Sequence, residues 1–234
     1  MGRARRYIKK VRRLGLGQTF DIVSSYPLQA YLSRRQTRNT EALLRRLPRP
    51  LVTIRSASVK WVSTVNGPDA IDTVRDLRPD VLIQAGAGIL QTPLLRLPRI
   101  ACINLHHGIA PLIRGMNSIH WGLWENRPEW IGSTVHEMNE GIDTGNVLAY
   151  APVRQQDSGE GFSSLFARAT EQGVDNLLDV LSRLEAGERW TVPAVPGEGV
   201  YRSTMSGWKL AALAVRLNAE RRLSVGDSHP RTTR

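Results

Sequence analysis

The sequence has very little cysteine and no long apolar run. Its 234 residues include one cysteine, so no internal disulfide can form. Cys102 stands in a short apolar run at residues 100–103, a setting typical of a buried structural thiol in a reducing compartment. No apolar run approaches the roughly 18 residues of a transmembrane helix, and the basic start lacks the apolar segment of a signal peptide. We therefore expect a cytoplasmic protein without a transmembrane segment.

Candidate metal ligands are also sparse. The histidines include one adjacent pair, His106 and His107, whose side chains would diverge on a strand. We therefore expect no metal site. Internal repeats and low-complexity segments are absent too, whereas an apolar content of 41% provides a sizeable core for one large or two small domains.

The net charge of +11 is unevenly distributed along the chain. Residues 1–50 carry 13 Lys or Arg against 2 acids, and residues 200–234 carry 7 against 2. The middle is mildly acidic, with 12 basic and 17 acidic residues. Two interpretations stay open: basic arms that hold phosphates, RNA or an anionic membrane surface, or ordinary solvated helix faces.

The apolar pattern divides the chain into three regions. Residues 1–50 are predicted to be a basic helical segment. Residues 51–199 alternate short strands with helices, which is typical of parallel strands joined by right-handed crossovers. Residues 200–234 are predicted to form a basic helix and a disordered tail from residue 224. The predicted strands lie at residues 51–54, 81–85, 100–105, 131–138 and 146–153, and the predicted helices at 69–77, 161–184 and 205–223.

Three polar residues stand at an informative spacing. Asn104 and His106 lie two positions apart on an extended segment, so both side chains can point into one pocket. Asp143 follows 37 residues after the histidine, in a Gly-Ile-Asp-Thr-Gly loop. These groups can run acyl transfer if Asn104 and a protonated His106 donate to an oxyanion. Asp143 would raise the pKa of His106 and relay the proton of an attacking amine. Considered one at a time, Asn104 could be a turn residue, His106 a structural histidine and Asp143 part of an ordinary loop with an Asx turn.

The wider pattern resembles the folate-dependent formyltransferases over about residues 65–153. It reads Asn104-x-His106-x4-Pro111-x2-Arg114-Gly115, then Thr134-Val-His136, then Glu140-Gly-Ile-Asp143-Thr-Gly. This family includes glycinamide ribonucleotide, methionyl-tRNA and sugar-nucleotide formyltransferases. The resemblance implies an α/β, Rossmann-like fold with an open, mostly parallel sheet flanked by helices. It also implies that 10-formyltetrahydrofolate is the co-substrate.

The resemblance further implies which residues form the site. The catalytic residues would be Asn104, His106 and Asp143. The folate is expected in a crevice at the carboxyl ends of the parallel strands. Two loops would line this crevice, one with Gly86, Ala87, Gly88, Ile89 and Leu90 and the other with Glu140, Gly141 and Ile142. Arg114 and Gly115 would face the acceptor, and Arg114 either binds an acceptor phosphate or holds its own turn by bonding to backbone carbonyls.

The sequence also departs from the family pattern. Gly108 stands where the family usually has serine. The family's first β-α-β unit, which helps to hold the acceptor's phosphate, is not found in residues 1–50. His107 is expected to line the pocket without a catalytic role, and His120 and His136 are interpreted as helix and strand residues.

The acceptor is expected to be a small-molecule primary amine, the amino group of a nucleotide-linked amino sugar. Residues after 199 are too few and too helical for the additional β-barrel domain of the methionyl-tRNA enzymes, so nucleic acid is not favoured as a partner. Methionyl-tRNA or another small amine is the alternative acceptor. A catalytically idle homologue that binds RNA or a membrane, and a partner subunit or homo-oligomer whose sheet is completed by another chain, stay open.

Overall fold

A computed structural model of the chain describes residues 16–45, 59–154 and 161–226. The strand predicted at residues 51–54 lies outside these ranges, as do the helical pattern before residue 16 and the predicted tail beyond residue 226. Residues 224–226, predicted to be disordered, instead belong to the last helix. The described strands are β1 (Val81–Gln84), β2 (Ala101–His106), β3 (Ile113–Gly115), β4 (Gly132–Glu137), β5 (Val147–Pro152) and β6 (Val200–Arg202). The helices are α1 (Leu16–Ser24), α2 (Tyr26–Leu44), α3 (Pro68–Leu77), α4 (Thr92–Leu95), α5 (Ser118–Trp124), α6 (Phe162–Glu185) and α7 (Gly207–Gly226), with a 3-10 turn at Pro128–Trp130.

The main sheet has four strands in the order β1-β2-β4-β5. β1 and β2 pair in parallel, as the alternation of strands and helices predicts. β4 lies antiparallel to β2 and also antiparallel to β5. The described sheet is therefore mixed, with its parallel pair at the β1 edge. A separate parallel pair joins β3 to β6.

Helix α6 covers one face of this sheet because its apolar residues recur at helical spacing. Leu165, Ala169, Val180 and Leu184 are all buried along one side. Gly173 permits close approach, since an added Cβ would lie 2.5 Å from Ser133 Oγ on β4. The helix ends at Glu185 with Ala186 as its C-cap, and Gly187 follows at φ +82°, a conformation that glycine adopts without strain.

The amino-terminal helices lie against the carboxyl-terminal half of the chain. Gln36 of α2 contacts His120 of α5, with 3.1 Å between Gln36 Oε1 and His120 Nε2. Gln29 donates to the carbonyl of Met205 just before α7, at 2.9 Å. Residues 16–24 and 26–44 of the segment predicted to be helical form α1 and α2, and α2 packs on α6 and α7. No helix in the described ranges is long and apolar enough to cross a bilayer.

Candidate active site

The fold brings the three predicted catalytic residues into one cluster at the end of β2. Asn104 and His106 occupy the same face of this strand, and antiparallel pairing sets Asn104 opposite His136 of β4. Asp143 lies in the connection between β4 and β5. Burial removes this cluster largely from solvent, since Asn104 is 8% exposed, His106 is 7% exposed and the Asp143 side chain is 12% exposed.

Asp143 is the centre of the cluster because its two carboxylate oxygens face four nitrogen atoms. Oδ1 lies 3.3 Å from Asn104 Nδ2 and 3.5 Å from His136 Nε2. Oδ2 accepts a hydrogen bond from the Gly115 backbone N–H at 2.8 Å and lies 3.4 Å from His106 Nδ1. The carboxylate thus contacts nitrogen atoms of β2, β3 and β4 at once, which fixes its position.

The Asp143 loop is held in a backbone conformation that is unusual for a residue other than glycine. Asp143 has φ +50°, in the left-handed region. Asn139 Oδ1 accepts hydrogen bonds from Gly141 N–H and from Thr144 Oγ1 and so ties the loop across its base. Gly145 is required where the loop returns to β5, because an added Cβ would lie 1.7 Å from the Glu137 carbonyl oxygen.

The charges of the cluster differ from the sequence prediction. Burial lowers the pKa of His106 below its usual value, by more than the nearby Asp143 carboxylate raises it. Asp143 raises the pKa of His106, as predicted, but burial outweighs this effect, so the expectation of a protonated His106 is wrong. Burial alone would raise the pKa of Asp143, but the His136 hydrogen bond, the charge on His106 and the Gly115 N–H lower it. At neutral pH the cluster therefore holds an ionised carboxylate and a neutral imidazole.

His136 belongs to the cluster, although the sequence indicated only a strand residue. Its Nδ1 lies 2.7 Å from the carbonyl oxygen of Glu137, which can only accept, so Nδ1 carries the proton. Its Nε2 lies 3.2 Å from Asn104 Nδ2. When Nε2 is bare, both hydrogens of the Asn104 amide have protein acceptors, Asp143 Oδ1 and His136 Nε2, and when Nε2 carries a proton it donates to Asp143 instead. A substrate oxygen must replace one of these acceptors to bind at the Asn104 amide.

The other nitrogen of His106 faces the turn after β2. His106 Nε2 lies 3.2 Å from the carbonyl oxygen of Ile113 and 3.3 Å from Ser118 Oγ. Gly108 lies directly beside this contact. An added Cβ at Gly108 would be 2.7 Å from His106 Nε2 and 2.7 Å from Ser118 Cβ.

His107 and His120 lie outside the cluster and stack on aromatic rings of α6. His107 lies parallel to Phe166 at 4.1 Å between ring centroids, and His120 lies parallel to Phe162 at 3.7 Å. Burial lowers the pKa of His107 to about 4, helped by the neighbouring His106, and lowers the pKa of His120 to about 3. Both rings are thus neutral packing groups at physiological pH. A pocket-wall role for His107 stays a prediction.

The two loops expected to hold folate lie next to each other. Thr92 Oγ1, just beyond the loop that follows β1, donates to Glu140 Oε1 at 2.8 Å. Gly86 and Gly88 adopt φ +76° and +85°, and a Cβ at either would meet no atom within 4 Å. Ile89 is 61% exposed, whereas Leu90 is buried in the core. Ala87, Gly141 and Ile142 complete the two loops. The loops therefore leave open space and one large exposed apolar side chain, Ile89, beside the cluster.

Arg114 and Gly115 contribute to the site in different ways. The Gly115 backbone N–H holds Asp143, a role the sequence did not predict, and the Arg202 carbonyl 2.2 Å from a hypothetical Cβ shows why glycine is needed. The Nε of Arg114 is buried and has no hydrogen-bond partner among the described residues. Both roles expected for Arg114, binding an acceptor phosphate and holding its own turn, therefore stay predictions. Within the same ranges no group of three or more His, Cys, Asp or Glu side chains is arranged to hold a metal ion.

Comparison with known proteins identifies related sequences. Residues 33–181 match the family described as Formyl transferase. Methionyl-tRNA formyltransferase of Lachnospira eligens is 33% identical over 132 residues, which cover 56% of this chain and 41% of that protein. The same enzyme of Gloeothece citriformis is 35% identical over 118 residues, covering 49% and 34%. The chain therefore spans less than half the length of these relatives.

Solved structures with the same fold include the following two, each with a TM-score above 0.5. HypX from Aquifex aeolicus, in complex with tetrahydrofolic acid, has a TM-score of 0.52 and 22% identity, covering 70% of this chain and 29% of HypX. A sugar N-formyltransferase from a Shewanella species has a TM-score of 0.51 and 21% identity, covering 65% of each chain. Identities this low show the fold alone, and they confirm the expected Rossmann-like α/β fold.

Proposed function

Because the chain belongs to the formyl transferase family, we propose that it transfers a formyl group from 10-formyltetrahydrofolate to a primary amine. The observation that carries this proposal is the convergence of Asn104, His106 and Asp143, with Asp143 Oδ1 3.3 Å from the Asn104 amide and Oδ2 3.4 Å from His106. An amide donor beside an ionised carboxylate is the arrangement that amine acylation needs. A cytoplasmic location, homo-oligomer formation and the absence of a metal stay predictions.

The residues of the cluster would divide the chemistry between them. Asn104 would turn one amide hydrogen from a protein acceptor towards the formyl oxygen and stabilise the negative charge that develops there. Asp143, ionised because its pKa is lowered, would accept the proton that leaves the attacking amine, directly or through water. His106, neutral at physiological pH, would orient the carboxylate and share that proton.

The co-substrate fits the two loops beside the cluster. Open space above Gly86 and Gly88 allows a flat ring system to approach the backbone. The exposed side chain of Ile89 offers an apolar surface to such a ring, and Glu140, Gly141 and Ile142 would close the other side. When bound there, the co-substrate supplies the formyl group, and the protein supplies orientation, hydrogen bonds and a proton acceptor.

For the acceptor we propose the amino group of a nucleotide-linked amino sugar. The support is Arg114, whose buried Nε has no partner in the described part of the chain and which directly precedes Gly115, the backbone anchor of Asp143. A guanidinium so placed can bind the phosphate of a nucleotide-linked acceptor. Methionyl-tRNA is the second candidate, favoured by the names of relatives 33% and 35% identical to this chain.

The proposed transfer is tested by measuring tetrahydrofolate release and formylated product with each acceptor. Asn104→Ala is expected to lower kcat about 100-fold to 1,000-fold, the cost of one oxyanion donor. His106→Ala and Asp143→Ala are expected to abolish turnover while the fold is retained. Asp179→Asn makes an acid-to-amide change at an exposed position of α6 and should keep the parent rate. Parent-like turnover in His106→Ala or Asp143→Ala would overturn the mechanism.

The two acceptor classes are separated by Arg114. Arg114→Ala should raise KM for a nucleotide-linked amino sugar with little change in kcat, since phosphate binding is remote from the reacting atoms. Arg99→Ala is the control, because its ion pair with Asp80 lies at the opposite end of β1. Formylation of methionyl-tRNA without formylation of any amino sugar would favour the second candidate.

A further inference from the structure

The His106 ring has partners of different chemistry at its two nitrogens. Nδ1 faces the Asp143 carboxylate at 3.4 Å. Nε2 faces two oxygens, the Ile113 carbonyl at 3.2 Å and the Ser118 hydroxyl at 3.3 Å. The carbonyl can only accept a hydrogen bond, whereas the hydroxyl can rotate and either donate or accept. The described residues provide no other hydrogen bond to Nε2.

The space around Ser118 is closed on all sides. Ser118 is 3% exposed and is the first residue of α5. Gly108 leaves room for it, because a Cβ at that position would be 2.7 Å from both His106 Nε2 and Ser118 Cβ. The glycine that departs from the family pattern is therefore the residue that admits the Ser118 hydroxyl to the imidazole.

We propose that Ser118 is a positioning residue that keeps the Nδ1–H of His106 directed at Asp143 in both protonation states of the ring. When His106 is neutral, the hydroxyl donates to the bare Nε2. When the ring takes up a proton, the hydroxyl turns and accepts from Nε2–H together with the Ile113 carbonyl. In this orientation the bare Nε2 of a neutral ring faces the Ile113 carbonyl oxygen at 3.2 Å, acceptor against acceptor, and the Ser118 O–H supplies the donor that offsets this contact. The catalytic consequence rests on the proposed function, whereas the ring geometry does not.

Other groups around the ring do not replace this partner. Asp143 and His136 lie on the Nδ1 side, and both influence the charge of His106. His107 is adjacent in sequence, but its Nε2 bonds to Thr170 on α6. The Nε2 side is thus served by Ile113 and Ser118 alone among the described residues, so a change at Ser118 isolates one hydrogen bond.

Ser118, His106 and Asp143 also follow one another in the order of a hydrolase triad, hydroxyl to imidazole to carboxylate. A nucleophilic serine must reach the acyl carbon of its substrate. A side chain that is 3% exposed at the start of a buried helix does not meet this requirement. The geometry therefore supports a role for Ser118 in positioning the His106 ring and not in nucleophilic attack.

The test is nitrogen NMR of the protein labelled with 15N in its histidine rings, with His106→Gln used to identify the signals. A ring nitrogen that carries a proton is readily distinguished from one that does not. In the parent protein, the neutral His106 ring is expected to carry its proton on Nδ1. Ser118→Ala should move that proton towards Nε2 or raise the pKa of the ring, because the neutral ring loses the donor to its bare Nε2, whereas the protonated ring keeps the Ile113 carbonyl as an acceptor. Ser118→Thr, which keeps the hydroxyl, should restore the parent signals.

Ser133→Ala is the matched control, because Ser133 is 1% exposed and lies on β4 facing α6. It should leave the His106 signals unchanged. A parent ring with its proton on Nε2, or a Ser118→Ala protein with unchanged tautomer and pKa, would overturn the proposal. These spectra need neither folate nor acceptor, so they are independent of the outcome for the proposed function.

Turnover provides a second readout if the transfer reaction is established. Ser118→Ala should lower kcat by about tenfold with KM unchanged, the scale of one neutral hydrogen bond. A loss above about 1,000-fold, with a formyl group found on Ser118 by mass spectrometry, would contradict positioning and establish a nucleophile.

Discussion

Acidification should destabilise this protein well before its carboxylates titrate, because His107 and His120 are buried as neutral rings. Their pKa values are about 4 and about 3 in the folded protein, against 6.5 for an ordinary histidine. Between these values the unfolded chain binds protons that the folded chain does not bind. Stability is therefore complete above about pH 6.5 and is lost progressively as the pH falls.

The magnitude follows from the same pKa values. Each histidine contributes about 1.4 kcal/mol per pH unit wherever only the unfolded state is protonated. From about pH 7.5 to about pH 4.5 the free energy of unfolding should thus fall by about 2.5 kcal/mol for each ring. The summed loss is of the same order as the total stability of a small domain. The pKa of buried His106 is also lowered, so its contribution has the same sign.

Urea denaturation followed by circular dichroism at a series of pH values provides the assay. His120→Phe keeps an aromatic ring beside Phe162 but removes the titrating group. Between about pH 7.5 and about pH 4.5, its free energy of unfolding should therefore fall by about 2.5 kcal/mol less than that of the parent. Ile119→Val, in the same buried helix, should lower stability by a constant amount at every pH. A His120→Phe protein with the parent's pH dependence would refute the reasoning.

Three further predictions concern packing and reactivity. Gly145→Ala places a Cβ 1.7 Å from a backbone carbonyl of β4 and should lower Tm by about 4 °C or more, whereas Gly161→Ala, with no atom within 4 Å, should leave Tm unchanged. Cys102 should resist thiol reagents in the folded protein, because burial raises its pKa to about 11, and should react once the chain is unfolded in guanidinium. Rapid labelling of the folded protein would contradict this. Arg202 donates two hydrogen bonds to the Glu125 carboxylate, at 2.7 and 3.0 Å. A double-mutant cycle to alanine should therefore give a coupling free energy of about 1 kcal/mol. A coupling of zero would show that this ion pair does not contribute to stability.

The elements predictable from the sequence were those with strong local patterns. The runs that became β2, β4 and β5 are short, apolar and bounded by turns, and α6 has a clear apolar stripe. The spacing of Asn104, His106 and Asp143 also predicted their convergence, because a β strand sets two of these side chains on one face. The local sequence pattern therefore predicted where the cluster lies in the chain and three of the residues that form it.

Features that depend on strand pairing and burial could not be obtained in this way. His136 joins the site because β4 runs antiparallel to β2 with Asn104 in register, and no local signal specifies that register. The net charge state of His106 depends on how completely the ring is buried, and burial outweighs the carboxylate that the sequence does show. The contact of Ser118 with the imidazole depends on the space beside Gly108, which only the folded chain reveals.

Calorimetric titration with 5-formyltetrahydrofolate, a stable analogue of the proposed donor, tests the central claim most directly because it requires no choice of acceptor. We predict saturable binding in the micromolar range, weakened at least tenfold by Ile89→Glu in the loop after β1, where the side chain is 61% exposed and its replacement should not disturb the fold. A folded protein that releases no heat of binding would contradict a folate-dependent formyltransferase site at this cluster.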